Sequence, residues 1–138
     1  MLHRIKKDRD VHQGKWNGLG GRLEAGETPD ECVVREVYEE SGLTIANPTL
    51  QGIMMFPEFK DKEDWLVFLF TATEFSGDLI ESPEGALKWI ADSEITNLPL
   101  WEGDKYFIGW LKGGKFFQAK FCYKDGKLIK HQVKFSND

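Results

Sequence analysis

Residues 21–43 read GRLEAGETPDECVVREVYEESGL, and this pattern predicts a loop, a helix and a second loop. Thr28 suits the N-cap of the helix, and the glutamate three residues later completes a capping box. Pro29 suits the first helical position, where its missing N–H costs nothing. Gly42 follows the last helical residue, where a left-handed glycine commonly ends a helix. The sequence therefore predicts a helix over about 29–41 with both ends defined.

The predicted helix has an apolar face and an acidic face. The valines at positions 33, 34 and 37 share one arc, which should lie against a sheet. Glu36, Glu39 and Glu40 fall at i, i+3 and i+4, so their carboxylates should lie together on a neighbouring arc. Mg2+ and Mn2+ favour carboxylate oxygens and would offset the repulsion among these charges. Helix spacing alone favours an ordinary solvated acidic surface over a metal site.

The composition predicts one globular domain over residues 1–138. Hydrophobic residues make up 41% and charged residues 30% of the chain, which is ordinary for such a domain. The net charge of −5 argues against general binding to nucleic-acid phosphates. The longest apolar run, Trp65 to Phe70, is too short to cross a bilayer, and no signal peptide precedes the domain, so a cytoplasmic location is expected. Cys32 and Cys122 are expected to be reduced packing residues.

The rest of the chain predicts a mixture of strands and helices. A second helix is expected at about Asp104 to Leu111, and a helical turn at 92–95 with Asp92 or Ser93 as its cap. The dipeptide Asp125-Gly126 predicts a hairpin turn. Strands are expected at 50–56, 64–75, 86–91, 115–123 and 128–135, with loops at 57–62 and 77–85.

The spacing around the first helix resembles the Nudix box, the signature of a hydrolase family. The matching positions are Gly21, Glu27, Arg35-Glu36-Val37, Glu39-Glu40 and Gly42-Leu43. Members of this family bind divalent cations and hydrolyse a nucleoside diphosphate linked to another group. The resemblance implies an α/β class protein with the Nudix fold, an α/β/α sandwich with a mixed central sheet. Because the box begins so early, either part of the first strand is expected to be missing or Met1 is not the natural start.

The resemblance also implies a metal site. Its ligands would be Glu36, Glu39 and Glu40, with the Gly20 carbonyl as an extra ligand. Glu27 and Arg35 would be the pair that holds the loop against the helix. A further acid is expected from another loop, where Glu84 is the candidate and Glu81 the alternative. Either Glu36 or Glu40 would orient or deprotonate the attacking water, and the sequence does not choose between them. Arg22, Arg4 and Lys15 are candidates for neutralising the phosphates, with Arg22 favoured.

Three segments together resemble the MutT-type purine nucleoside triphosphate diphosphatases: KWNGLGGRLEAGET, LWEGDKYFIGWL and KFFQAKFCY. In those enzymes an asparagine before the box, and a tryptophan and acids before the C-terminal helix, hold an oxidised guanine. The matching positions are Asn17, Trp101 and Asp104, whereas Gly103 stands where some relatives carry a second acid. An indole face can stack on a purine, and an amide or carboxyl group can bond to its edge. Core packing is the alternative for Trp101, and capping of the second helix is the alternative for Asp104.

The expected function is Mg2+-dependent hydrolysis of 8-oxo-dGTP, or a related purine triphosphate, to the monophosphate and pyrophosphate, with Mn2+ as a substitute. This is a nucleotide sanitation reaction associated with DNA repair. ADP-ribose, dinucleoside polyphosphates and RNA 5′ ends are alternative substrates, and a non-catalytic nucleotide-binding module is the alternative of another class. The expected partner is the nucleoside triphosphate, with no nucleic acid polymer and no membrane, and the chain is expected to be a monomer or homodimer.

Overall fold

The computed structural model describes residues 2–3, 16–60, 62–80 and 86–136. The chain divides into two compact units, Met1–Pro48 with Ala72–Leu100 and Thr49–Thr71 with Trp101–Asp138. Its elements in chain order are β1 (Leu2–His3), β2 (Trp16–Asn17), α1 (Pro29–Ser41), β3 (Thr44–Ala46), β4 (Thr49–Lys60), β5 (Glu63–Thr71), β6 (Glu74–Ser76), β7 (Ala86–Leu87), a 3-10 helix (Asp92–Asn97), α2 (Asp104–Leu111), β8 (Phe117–Lys124) and β9 (Lys127–Phe135).

The first unit contains α1 and five short strands. β1 pairs antiparallel with β2 and with β7, and β3 pairs antiparallel with β6. The predicted helix ends are confirmed, since Glu31 N donates to Thr28 Oγ1 at 3.2 Å and Thr28 N donates to Glu31 Oε1 at 3.0 Å. Gly42 ends the helix at φ +82°, a conformation that glycine adopts without steric cost. The capping box and Gly42 therefore define both ends of α1.

The buried side of α1 only partly follows the predicted valine arc. Val37 is buried, but Val33 and Val34 are half-buried. Cys32 and Glu40 are buried as well, and they lie on the side of the helix that faces the preceding loop. The helix thus buries a polar edge in addition to an apolar one.

The second unit contains a four-stranded sheet in the order β5-β4-β8-β9. β4 and β8 run parallel and the other neighbours antiparallel, so the predicted mixed sheet is confirmed. The core comprises Met54, Phe117, Ala119 and Phe121. Residues Phe107, Trp110 and Leu111 of α2 pack against this core. The C-terminal hairpin and the second helix are found at their predicted positions.

The prediction of a loop at 57–62 is wrong for residues 57–60. β4 continues to Lys60, with a register irregularity between Phe56 and Lys60. Glu58 adopts φ +46° there, and its N–H donates to Asp64 Oδ1 at 2.9 Å. The side chain of the neighbouring strand thus satisfies a backbone donor at the irregularity, which allows the strand to extend.

Other predicted bounds are also corrected. The strand expected at 64–75 is divided into β5 and β6, because β5 pairs with β4 whereas β6 pairs with β3. The strand expected at 86–91 ends at Leu87, which pairs with Leu2. β3 was not predicted. A three-residue strand is too short to show a pattern of its own.

The predicted side-chain cap of the helical turn is wrong, and the capping alternative for Asp104 is not found either. The 3-10 helix has Ala91 at its N-cap, rather than Asp92 or Ser93, and α2 has Gly103 rather than Asp104. Neither helix start has a side-chain cap hydrogen bond. The backbone closes both starts through turns, with Glu94 N bonding to Ala91 O and Tyr106 N to Gly103 O.

Candidate active site

Arg35 joins helix α1 to the loop that precedes it. Its Nε donates to Glu27 Oε2 at 2.6 Å, and its Nη2 donates to Glu27 Oε1 at 3.0 Å. Nη2 also donates to the Arg22 carbonyl at 3.0 Å. The predicted pairing of Glu27 with Arg35 is therefore present as a two-bond fork, the strongest geometry for such a pair.

The charge state of this pair is well defined. The hydrogen bond from Arg35, and then the one from the Glu24 N–H, lower the pKa of Glu27 to about 2. Hydrogen bonds to Glu27 and Glu36 in turn raise the pKa of Arg35 above its usual value. Both groups are ionised at neutral pH.

The same guanidinium also contacts the glutamates of the box. Arg35 Nη1 lies 2.7 Å from Glu36 Oε1 and 3.2 Å from Glu39 Oε2, and it lies 3.6 Å from Glu24 Oε1. Four carboxylates thus surround one guanidinium. The repulsion expected among the helix glutamates is offset here by an arginine from the same helix.

Glu40 points to a different partner. It is buried, with only 8% of its surface exposed, and its Oε2 accepts from the Gly20 N–H at 3.2 Å. Within the described part of the chain, no group of three or more His, Cys, Asp or Glu side chains is arranged to hold a metal ion. The three predicted helix ligands therefore lie on the loop side of α1, but their carboxylates are divided between Arg35 and Gly20.

The chemistry of these residues fits a hard divalent cation. Carboxylates and backbone carbonyls are the oxygen ligands that Mg2+ and Mn2+ prefer. The loop also approaches the helix closely, because a Cβ at Gly21 would overlap the Glu36 carboxylate. A Cβ at Gly20 would meet no atom within 4 Å. A Cβ at position 21 would therefore displace the Glu36 carboxylate from its present place, whereas position 20 has space for one.

Cys32 belongs to this site; the sequence predicted a reduced packing residue but not its place beneath the loop. Its Sγ lies 3.9 Å from the Gly21 carbonyl oxygen and 3.9 Å from Arg35 Nη2. Burial raises the pKa of the thiol, and the negative charge of Glu27 raises it further. The thiol is therefore a neutral packing group beneath the loop. Its position three residues before Arg35, on the same side of α1, is the signal that could have identified it.

Several predicted site residues cannot be placed. Arg4, Lys15, Glu81 and Glu84 lie outside the described residues. The backbone of Asn17 pairs with Leu2 in the first unit.

The two predicted base contacts that are described lie in the second unit. Trp101 is 8% exposed and packs edge-to-face against Phe59 at 5.1 Å and Tyr123 at 5.3 Å between ring centroids. Asp104 is half-buried at the first position of α2. The packing alternative for Trp101 is thus satisfied by its surroundings, which leaves a contact with the base as a prediction.

Tyr123 fixes the turn between these residues and was not predicted. Its hydroxyl oxygen accepts from the Gly103 N–H at 2.6 Å, and burial raises its pKa to about 12. A Cβ at Gly103 would lie 2.8 Å from this oxygen and 2.7 Å from Phe121 Cδ1. A second acid at position 103 therefore does not fit unless these rings move.

The described helices include none with the length and hydropathy to span a membrane. Both cysteines are free thiols, as expected.

Comparison with known proteins agrees with the box. The NUDIX domain model matches residues 1–111. The chain is 36% identical over 117 residues to the Nudix hydrolase YvcI of Bacillus subtilis, covering 80% of this chain and 73% of that protein. It is 33% identical over 123 residues to the oxidized purine nucleoside triphosphate hydrolase of Mus musculus, covering 89% and 79%.

A solved structure shows the same fold. The MutT protein from Bacillus halodurans superposes with a TM-score of 0.82 at 36% identity, covering 94% of this chain and 86% of that one. With 94% of this chain covered, the match extends well beyond the box. The chain therefore belongs to the Nudix family and is a Nudix hydrolase with the mixed α/β fold of that family.

Proposed function

We propose that this Nudix hydrolase cleaves 8-oxo-dGTP, or a related purine nucleoside triphosphate, to the monophosphate and pyrophosphate. The observation that carries the proposal is the complete set of box acids, held at one loop–helix junction by Arg35 and the backbone of the glycine loop. Two relatives support the choice of substrate, one named an oxidized purine nucleoside triphosphate hydrolase and the other a MutT protein.

The proposed cofactor is Mg2+, with Mn2+ as a substitute. Glu36, Glu39, Glu40 and the Gly20 carbonyl would hold it, with Glu84 as an additional ligand. A divalent ion bound there polarises phosphate oxygens and lowers the pKa of water. The fork between Arg35 and Glu27 keeps the loop against α1, and this would allow the Gly20 carbonyl and the helix carboxylates to bind one ion.

Protein groups supply the remaining steps of the proposed reaction. Glu36 or Glu40 would orient the attacking water or take its proton. Arg22, and Arg4 from outside the described residues, would neutralise the phosphate oxygens. Negative charge develops on the pyrophosphate as it leaves, and these cations would offset that charge.

Base recognition is assigned to Asn17, Trp101 and Asp104. The carboxylate of Asp104 would accept a hydrogen bond from the purine edge, because a carboxylate offers acceptors only. Trp101 would contact the base through the small part of its surface that is exposed, 8%. With glycine at 103, the turn offers one acid rather than two.

We also propose that the enzyme is cytoplasmic, acts in nucleotide sanitation, and is a monomer or homodimer.

The decisive test is a turnover comparison of the purified protein with Mg2+ on 8-oxo-dGTP, dGTP, ADP-ribose, a dinucleoside polyphosphate and capped RNA. We expect the highest kcat/KM on 8-oxo-dGTP. Cleavage of 8-oxo-dGTP no faster than dGTP or ADP-ribose would refute the sanitation assignment.

A further inference from the structure

Arg35 contacts two of the carboxylates that would bind the divalent ion. We propose that Arg35 is an internal counter-cation whose Nη1 must leave Glu36 and Glu39 when the ion binds, while its other edge stays on Glu27. Arg35 would then lower the affinity for the ion and stabilise the metal-free protein. This inference rests on the proposed metal role of the box glutamates.

The geometry allows such an exchange. The bonds to Glu27 use Nε and Nη2, whereas the bonds to Glu36 and Glu39 use Nη1. The two sets of bonds involve different nitrogens of the planar guanidinium. Nη1 can therefore release its carboxylates through a small rotation of Glu36 and Glu39, without loss of the fork that holds the loop.

The electrostatics favour the exchange. Glu24, Glu27, Glu36 and Glu39 place four negative charges within 3.6 Å of a single positive group. A divalent ion adds two positive charges to a cluster that remains negative after Arg35 is counted. Glu39 is the easier ligand to release, because its side chain is 55% exposed whereas that of Glu36 is 16% exposed, and solvent weakens exposed ion pairs.

The exchange also accounts for the arrangement of the box carboxylates. Arg35 holds Glu36 and Glu39, and Gly20 N holds Glu40, so the three carboxylates do not converge. A role limited to supporting the loop needs only the bonds to Glu27 and the Arg22 carbonyl. The additional bonds from Nη1 therefore indicate a second role.

Two variants separate these roles. Arg35→Gln removes the counter-cation and the loop support together, whereas Glu27→Gln removes the loop support and leaves Nη1 on the box glutamates. Arg22→Gln is the charge-matched control, because it removes one exposed cation from the same loop. Binding of Mn2+ would be measured without nucleotide by calorimetry and by electron paramagnetic resonance of the free ion.

We expect Arg35→Gln to bind Mn2+ about threefold to tenfold more tightly than the wild type, because the ion no longer displaces a charged hydrogen bond. Arg22→Gln should change the affinity less than about twofold, and Glu27→Gln should not tighten it. In thermal unfolding, Arg35→Gln should have a lower Tm than the wild type without metal. Its Tm should rise more than that of the wild type on saturation with Mn2+.

Weaker Mn2+ binding in both Arg35→Gln and Glu27→Gln would overturn the inference and leave Arg35 as loop support alone. Absence of Mn2+ binding in the wild type would refute the proposed metal site itself, whereas the choice of nucleotide is tested separately by turnover. If Arg35→Gln does not fold, the exchange can be tested in the wild type by following the NMR signals of the Arg35 side chain during a titration with Mg2+. The Nη1 protons should begin to exchange rapidly while Nε–H stays protected, and unchanged Nη1 protection at saturation would contradict the exchange.

Discussion

The network around Arg35 and the ring cluster around Phe121 are organised in opposite ways. The network joins side chains from Glu24 to Glu39 by charged hydrogen bonds between residues close in sequence. Phe121 is fully buried and contacts the rings of Phe56, Trp110 and His131, which come from three other elements. The charges around Arg35 all come from one continuous segment, residues 24–39, whereas the core of the second unit joins rings from four separate elements.

The largest effect is expected from removing a charge within the network. Glu39→Gln should reduce turnover by about 100-fold to 10,000-fold, because one ligand to the catalytic ion would be lost, and each tenfold corresponds to about 1.4 kcal/mol of barrier. Glu39 is exposed, so its substitution should leave the fold intact. Steady-state turnover and circular dichroism would check the two halves of this prediction.

Asp30→Asn is the matched control for Glu39→Gln. It makes the same change of charge on the same helix, at an exposed position in the first turn. Turnover should remain within about twofold of the wild type. The interaction between a negative charge and the N-terminus of a helix contributes about 0.3–1 kcal/mol to the stability of the protein, and we expect it to have no effect on catalysis. Equal losses of turnover in both variants would show that turnover depends on the total charge of the helix and not on a metal ligand at Glu39.

The second effect concerns the ring cluster. Phe121→Ala should destabilise the protein by about 3–5 kcal/mol, because it removes a fully buried ring and leaves a cavity among its neighbours. The exposed Ile129 on the adjacent strand offers a control, and Ile129→Ala should change stability by less than about 0.5 kcal/mol. Urea unfolding would measure both. Similar losses in the two variants would mean that the hairpin is stabilised by edge contacts and not by the cluster.

The sequence predicted the local part of this molecule closely. The bounds of α1, its capping box and the pairing of Glu27 with Arg35 all involve residues within about two helical turns of each other, so spacing alone specifies them. Helix α2 and the hairpin at Asp125-Gly126 followed from equally local patterns.

The parts that were missed depend on distant partners. The division between β5 and β6 arises from a change of partner strand, which no local pattern records. The hydroxyl of Tyr123 bonds to a backbone group 20 positions away. The bonds from Arg35 Nη1 to the box glutamates were also missed, although their spacing is local. Repulsion among three acids suggested a metal, and the neighbouring arginine on the same helix was not considered as a cation for them.

The smallest effect tests whether the turn before α2 matters for recognition of the base. Tyr123→Phe keeps the ring but leaves the Gly103 N–H without its acceptor, so we expect a loss of about 1–2 kcal/mol in the free energy of unfolding. Tyr106→Phe is the control, because Tyr106 is 44% exposed and its substitution should be nearly neutral. If Trp101 and Asp104 hold the purine, the looser turn in Tyr123→Phe should raise KM for the purine triphosphate while kcat stays near the wild-type value. An unchanged KM together with the expected loss of stability would restrict this cluster to packing, and the base contacts would then have to be sought in the first unit, near Asn17.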